Sequence, residues 1–598
     1  MIRSTFKFIF RMIYGLAAIV GFGIILLVLI LSFSLTYMGV GPFASKSMPL
    51  KKDAVLSLNL KGSYVEHEDS LGYESILYGK NASLYNLVQA ITQAARDPKI
   101  KGLVARFESP SLGMAQIQEL RDAVFEFRKS GKPTWCYTDS FGELTPGTGL
   151  YYLASVFEQI WLQPLGSVNL TGLSVEVPFG KDALEKLGVK PELVQKKEYK
   201  SYGEMFTRDD FSEPSKEAEQ AVIDSILSQI VDGIARDRKF PHDQVRVIIS
   251  NGPYLTDEAL TLKLIDRIDY RQNLTAGIKE KLGKDIEFVS LSSYLDTRPD
   301  APKGDKVALI FGSGNIVEQA GDSAFGNLNI DSDGTYKAFQ SAIEDSEVKS
   351  IVYRINSGGG SPVASETIYS IVQYAKEKGK KPVIISMSDA AASGGYWIAV
   401  AGTKIIAQPA TLTGSIGTFG GKFNIAGLSE KLGIKWGHLT TSDNALMWSG
   451  SESYGPAQWV KVNAYMDQIY DGFTSRVAKG RKMSPDQVEK VARGRVWTGE
   501  QALALGLVDQ LGGLNMAIDL AKKEGGLGAD AGIQIYPRHK SVIEKILDTF
   551  EKKEDESSSG VDVSLFGSFL RPLRKVMAMV SMLSASQEVL YAPLGEIK

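Results

Sequence analysis

Cysteine is nearly absent from this chain: Cys136 is the one thiol in 598 residues. A single thiol excludes an intrachain disulfide framework and any zinc or iron–sulfur site built on cysteines. Histidine is almost as scarce, with His67, His242, His438 and His539 far apart in sequence. A histidine-rich metal site is not expected, and a hydrolytic mechanism would have to manage without histidine. An excess of one charge sign is missing too. Lys and Arg number 67 against 69 Asp and Glu, a net charge of −2, so no basic field argues for nucleic acid. What is present, 44% hydrophobic and 23% charged residues, is the composition of a globular protein. The length calls for two or more domains.

No charged residue occurs from 12 to 45, and 12–38 is almost wholly apolar. About 20 such residues cross the hydrocarbon core, and a cleavable signal has a shorter apolar stretch with a small-x-small site. The run therefore predicts a retained anchor. Arg3, Lys7 and Arg11 precede it, which keeps residues 1–11 in the cytoplasm and places the chain after the span on the outer side.

Beyond a linker at 39–50 the chain alternates strand and helix patterns, then does so again. AVLSLNL at 54–60 opens the first pass and VALIF at 307–311 the second. LYYLAS at 150–155 aligns with GYWIAV at 395–400, and KLGVK at 186–190 with KLGIK at 431–435, both at an offset of 245 residues. TDEALTLKLIDRI at 256–268 resembles TGEQALALGLVDQL at 498–511, each opening on a threonine suited to cap a helix. Repeated strand–helix units predict a parallel sheet in each of two duplicated halves, 51–300 and 301–540. The remainder, 541–598, holds a charged, Ser-rich linker and RPLRKVMAMVSML at 571–583, suited to a membrane surface, a partner subunit or simple docking.

Duplicated halves are most informative where they disagree. RINSGGGS at 354–361 corresponds to RFESPS at 106–111, which lacks the glycines, and AAASGGYW at 390–397 places Ser393 where the first half has Thr148. Conversely, Lys200 in EYKS at 198–201 corresponds to Ala445. A serine among small residues at a helix start can expose its hydroxyl beside backbone N–H groups that would stabilise an oxyanion. The glycine run could supply another such donor by close approach. Serine needs a base, and a desolvated lysine can serve. Ser393 from one half and Lys200 from the other would form a dyad, explaining why neither half keeps both. Against this stand a solvated surface lysine at 200 and a packing role for Ser393. Trp397 and Phe419 could line apolar subsites or belong to the core.

Together INSGGGS at 355–361, ASGGYW at 392–397, TLTGSIG at 411–417, EYKS at 198–201 and GRVWTGEQA at 494–502 make the chain resemble the signal peptide peptidase A (protease IV) family in its long, two-domain form. The resemblance runs from the N-terminal anchor to about residue 513. It implies an α/β fold of tandem duplicated Clp protease/crotonase-like domains, built of repeated ββα units, behind a single N-terminal transmembrane helix. It also implies a serine endopeptidase without cofactor or metal. The family's nucleophile falls on Ser393 and its base on Lys200. Ser415 would orient the lysine, and N–H groups at Gly360 and Gly394 would form the oxyanion hole. Gly358 stands where the family usually has proline, which loosens the loop without removing a reactive group. The resemblance further implies a homotetramer in the bacterial inner membrane, facing the periplasm and degrading signal peptides and other apolar peptides. Two other readings compete: a non-catalytic membrane scaffold on a protease-like fold, and acyl-CoA chemistry.

Overall fold

The computed structural model describes residues 50–67, 82–297, 304–319, 329–537 and 590–591. The apolar run 12–38 and the tail segment 571–583 lie outside the described residues. Among the described residues no helix is long and apolar enough to cross a membrane. The chain separates into a minor unit, Met1–Lys51 with Ser292–Asp300, and a major unit, Lys52–Leu291 with Ala301–Lys598. Everything below concerns the major unit.

Its first half runs β1 (Ala54–Val65), α1 (Leu84–Arg96), β2 (Ile100–Ser111), α2 (Met114–Lys129), β3 (Thr134–Thr138), α3 (Thr148–Ser155), β4 (Gln159–Leu162), α4 (Lys181–Leu187), β5 (Lys190–Lys196), α5 (Glu213–Arg238), β6 (Arg267–Ile268) and β7 (Glu287–Ser290). The second half repeats that order: β8 (Lys306–Ser313), α6 (Ser332–Glu344), β9 (Val348–Ser357), β10 (Gly359–Gly360), α7 (Pro362–Glu377), β11 (Val383–Ala392), α8 (Gly394–Ala399), β12 (Lys404–Ala407), β13 (Leu412–Gly414), β14 (Thr418–Asn424), α9 (Ala426–Lys431), α10 (Pro456–Arg481), β15 (Val496–Thr498), β16 (Gln510–Leu511) and β17 (Gly532–Tyr536). Two parallel sheets result, ordered β7-β1-β2-β3-β4-β6 and β17-β8-β9-β11-β12-β16, the same topology twice. In the second, β13 also pairs with β11 and carries β15 antiparallel at its edge.

The unbroken apolar runs are what a sheet covered on both faces requires. Along β8 the side chains alternate between two cores. Val307 and Leu309 join one with Val352, Ile384 and Ile406, while Ala308 and Ile310 join another with Ile351, Tyr353 and Ile385. A polar run at the ends of β9 and β11 then marks where the sheet stops serving the core. β9 leads into the glycine run, whose end is fixed by Ser361: its hydroxyl accepts from the Ala364 N–H at 3.2 Å and caps α7, with Pro362 at the first helical position.

Two junctions fasten the halves together. In one, β5 and β14 form an antiparallel ladder from Lys190↔Asn424 to Lys196↔Thr418. The other is a buried ionic cluster. Arg354 on β9 donates to Glu66, after β1, at 2.8 Å and to Glu119 on α2 at 2.6 Å. All three side chains are buried. Burial alone would raise the Glu66 carboxyl, but the Arg354 charge and hydrogen bonds from Ser388 and Gln116 hold it below its ordinary value. Asp389 on β11 completes the contact as the cap that α2 lacks, accepting from the Ala115 and Gln116 N–H groups at 3.0 Å each. Only glycine fits at the cap position, since a Cβ on Gly113 would lie 2.1 Å from the Asp389 carboxyl carbon.

Truncating Arg354 leaves two buried carboxylates without their cation. Arg354→Ala is expected to destabilise the fold by about 3–5 kcal/mol in chemical denaturation. Lys52→Ala, which breaks an exposed pair with Glu287, is expected to cost under about 1 kcal/mol. Equal effects would show that the cluster contributes no more than a surface pair.

Candidate active site

The β5–β14 ladder delivers Lys200. Four residues past the end of β5 its side chain enters the second half and is fully buried. Its amine lies 2.7 Å from the Ser393 Oγ, 2.9 Å from the Ser415 Oγ and 3.0 Å from the Ser415 carbonyl oxygen. Ser393 and Ser415 are equally closed off from water. Burial pushes the Lys200 ammonium well below the usual lysine range. Its three hydrogen-bond partners carry no formal charge, so nothing in that set restores the cost of desolvation. The neutral amine that results is a base within reach of a hydroxyl proton.

Ser393 sits at the turn between β11 and α8 with φ +53° and ψ −118°. A serine held at positive φ costs on the order of 1–3 kcal/mol. Its neighbours hold it there: the Ser393 N–H donates to the Gly414 carbonyl at 2.9 Å, and its own carbonyl accepts from Trp397 N–H at 2.9 Å. Ser415 is likewise at φ +49°, tied by its N–H to the Arg495 carbonyl at 2.8 Å. The surrounding backbone is closely fitted. A Cβ on Gly394 would lie 2.7 Å from the Ser365 Oγ and 3.2 Å from the Gly360 nitrogen, so the two glycines expected to supply N–H donors are neighbours. A Cβ on Gly360 would strike the Ile316 carbonyl oxygen at 2.2 Å. Beside the glycine run a further strand, β18 (Leu590–Tyr591), pairs antiparallel with β10, with Gly359 opposite Tyr591 and Gly360 opposite Leu590. The edge of β10 thus accepts an extended chain.

All five residues singled out from the sequence, Lys200, Ser393, Ser415, Gly360 and Gly394, fall within this one site, and Lys200 is not a solvated surface lysine. Trp397 and Phe419 are both buried, Trp397 against Phe473 and Phe419 against Tyr202. One residue of the site carried no role in the sequence reading. Gly494, at φ +87°, packs on the lysine: a Cβ there would lie 2.4 Å from the Lys200 nitrogen. The GRVW motif held that signal, because an isolated glycine before a strand marks close backbone approach. The corresponding place in the first half is an apolar cleft of about 780 Å³ lined by Leu112, Met114, Pro146 and Leu150. There Thr148 is buried, with its hydroxyl accepting from the Thr171 and Gly172 N–H groups at 3.2 and 3.1 Å. This cleft has no lysine among its lining residues apart from any outside the described ones.

A buried lysine, an adjoining strained serine and paired glycine N–H groups are the components of a serine hydrolase that works without histidine. The model of peptidase family S49 matches residues 126–285 and 375–528, together more than half of the chain. Protease 4 of Haemophilus influenzae is 31% identical over 543 residues, covering 86% of this chain and 85% of that protein. Protease 4 of Salmonella typhi is 33% identical, covering 78% and 76%. The chloroplastic serine protease SPPA of Arabidopsis thaliana is 30% identical, covering 81% and 71%. Among solved structures, a ClpP1 from Listeria monocytogenes aligns at 16% identity with a TM-score of 0.23, covering 35% of this chain and 94% of that one. The chain belongs to peptidase family S49 and is a serine peptidase.

Two outcomes follow from the packing around Lys200. Gly494→Ala is expected to displace the lysine and lower kcat by at least tenfold while far-ultraviolet circular dichroism stays native; unchanged kcat would show that the close approach is dispensable. The second concerns pH. Folded Lys200 is neutral where the unfolded lysine, of pKa about 10.4, still binds a proton, so wild-type stability rises with pH between those two values. Relative to Lys200→Met, the wild type is expected to gain up to about 1.4 kcal/mol per pH unit in that window. Parallel stability–pH curves would show that the amine stays protonated when folded.

Proposed function

We propose that this protein is a membrane-anchored serine endopeptidase with a Ser393/Lys200 dyad. In this reading it degrades signal peptides and other apolar peptides on the periplasmic side of the bacterial inner membrane. The observation that carries the reading is the 2.7 Å contact between the Lys200 amine and the Ser393 Oγ in a site closed to water.

In the first step the Ser393 oxygen attacks the peptide carbonyl carbon while its proton passes to the neutral Lys200 amine. The carbonyl oxygen becomes an oxyanion facing the Gly360 and Gly394 N–H groups. As the C–N bond breaks, the leaving amine takes the proton from Lys200, and an acyl ester remains on Ser393. Water then attacks the ester, giving its proton to Lys200, and the serine is restored when the carboxyl product departs. Ser415 accepts from the lysine through both its hydroxyl and its carbonyl and so aims the amine at Ser393. The substrate lies as an extended strand against β10, where main-chain pairing tolerates many sequences and apolar side-chain pockets select among them.

The sequence supports the remaining parts of the reading. The apolar run 12–38 with Arg3, Lys7 and Arg11 before it supports a single span with the N-terminus in the cytoplasm and the two halves outside. The likeness to the signal peptide peptidase A family supports a homotetramer. No cofactor or metal ion takes part in this mechanism.

The test is hydrolysis of a fluorogenic peptide with an apolar residue before the scissile bond, by the full chain in detergent. Ser393→Ala and Lys200→Ala are each expected to lower kcat by about 10²–10⁴-fold, with the native fold retained. In the wild type kcat/KM is expected to rise with pH through the depressed Lys200 pKa. Retention of most of the rate by Lys200→Ala would place the base elsewhere. No cleavage of any apolar peptide by the wild type would leave a scaffold built on a peptidase fold.

A further inference from the structure

The junction that delivers Lys200 has a counterpart that finds no partner within the described residues. At the repeat offset of 245, β5 (Lys190–Lys196) corresponds to 435–441, and its receiving strand β14 (Thr418–Asn424) corresponds to 173–179. The helices beside them correspond as well, α4 (Lys181–Leu187) with α9 (Ala426–Lys431). Yet 435–441 forms no strand and every residue from 431 to 440 is exposed. Ile434 is 50% exposed where its counterpart Val189 is 2% exposed. Trp436 and Leu439 stand out at 53% and 103%. Gly188 is packed so tightly that a Cβ would lie 2.6 Å from the Gly427 backbone, whereas nothing lies within 4 Å of the same position on Gly433.

The receiving side is equally prepared. The sequence LSVEVPF at 173–179 alternates half-buried Leu173, Val175, Val177 and Phe179 with exposed Ser174, Glu176 and Pro178, the period of a strand. It belongs to no strand among the described residues. Its proline also falls at a permitted place. In the ladder within the chain Pro191 lies opposite Phe423. Having no N–H, Pro191 cannot exchange two hydrogen bonds with its opposite, so this is a non-hydrogen-bonded pair. The counterpart pair is Trp436 opposite Pro178, where again no N–H is required.

We propose that segment 435–441 of one copy pairs antiparallel with 173–179 of a second copy, repeating between chains the junction that β5 and β14 make within one. The proposal rests on the reading of the protein as a homo-oligomer and names the surface that builds it. Donor segment and receiving segment lie on different faces of the chain, so the contact is heterologous and propagates head to tail into a closed ring. It buries Ile434, Trp436 and Leu439. Asp182 stands where α9 has Gly427, so the helix contact beside the ladder is looser between copies than within one. The donor segment brings Ala445 to the first-half cleft as β5 brings Lys200 to Ser393. Junctions within a chain are therefore reactive, and those between chains, joining Thr148 to Ala445, are inert.

The test is disulfide trapping in the full chain in detergent, where the native Cys136 is buried. Non-hydrogen-bonded pairs bring Cα atoms to about 4.5 Å, within the range a disulfide spans. On mild oxidation, Trp436→Cys combined with Pro178→Cys is expected to give a ladder of covalent multimers on a non-reducing gel, and neither single substitution to give it. Trp436→Glu, at an exposed position, is expected to lower the mass by light scattering to that of the protomer. An oligomer that persists in Trp436→Glu, with no cross-link in the double variant, overturns this interface and leaves the oligomer reading standing. A wild type of protomer mass overturns both.

Discussion

A lysine amine held out of water, 2.7 Å from a serine hydroxyl, is the constraint on which the rest of this structure depends. Lysine is strongly hydrated, and burial becomes tolerable when the amine gives up its proton and finds hydrogen-bonding partners. Here the partners are Ser393 and both oxygens of Ser415, all supplied by the half that does not carry Lys200. The chemistry therefore needs the halves held in register to a fraction of an ångström. The antiparallel ladder of β5 on β14 does this, because its main-chain pairing fixes both the distance and the phase of the strand that ends just before Lys200. The Arg354 cluster and the Asp389 cap on α2 hold the same two halves at a second place. Two separated fastenings resist rotation where one would act as a hinge.

The second cost is conformational. Ser393 and Ser415 both occupy positive φ, a region that serine ordinarily avoids. Such strain persists only where neighbouring structure determines it. Ser393 is held on one side by β13 through the Gly414 carbonyl and on the other by the first turn of α8. Ser415 is held by the Arg495 carbonyl, next to Gly494, which packs on Lys200. The strained serines and the lysine are thus kept in place by the same few backbone segments. The glycines at 360, 394 and 494 allow that density, because at each a Cβ would collide with backbone or with another part of the site.

The two-half architecture could be read from the sequence because duplication leaves landmarks at a constant offset, and the apolar runs of parallel strands are hard to mistake. The reacting pair could be read for a related reason: Ser393 and Lys200 are positions where the copies disagree, and divergence between copies separates function from scaffold. The Arg354–Glu66–Glu119 cluster and the cap of Asp389 on α2 were beyond such a reading. They join residues up to 288 positions apart through side chains whose pattern resembles any other charged strand end. Arg106 occupies the matching place in the first half, yet it pairs with the part-exposed Glu108 and Asp139 rather than inside a core. Burial decides the difference, and burial depends on what the other half places opposite.

This asymmetry bears on why the duplication has kept both halves. In the second half, β9 and β11 end in groups that do chemistry, so the segments they lead into, 357–360 and 390–393, cannot also be shaped for packing. The first half, released from that demand, supplies Glu66, Glu119 and the N-terminus of α2 against those strand ends. Asp389 shows the tension. Burial and the nearby Glu66 charge push its carboxyl up to about 7, against the α2 N–H groups and Arg354, which lower it. A carboxylate this costly, four residues before Ser393, is retained in a core where an apolar residue would be more stable. An apolar side chain would leave the first turn of α2 without its acceptor and β11 without its tie to the other half. The first half is therefore more than a carrier of Lys200, since it also holds in place the strand end that presents the serine.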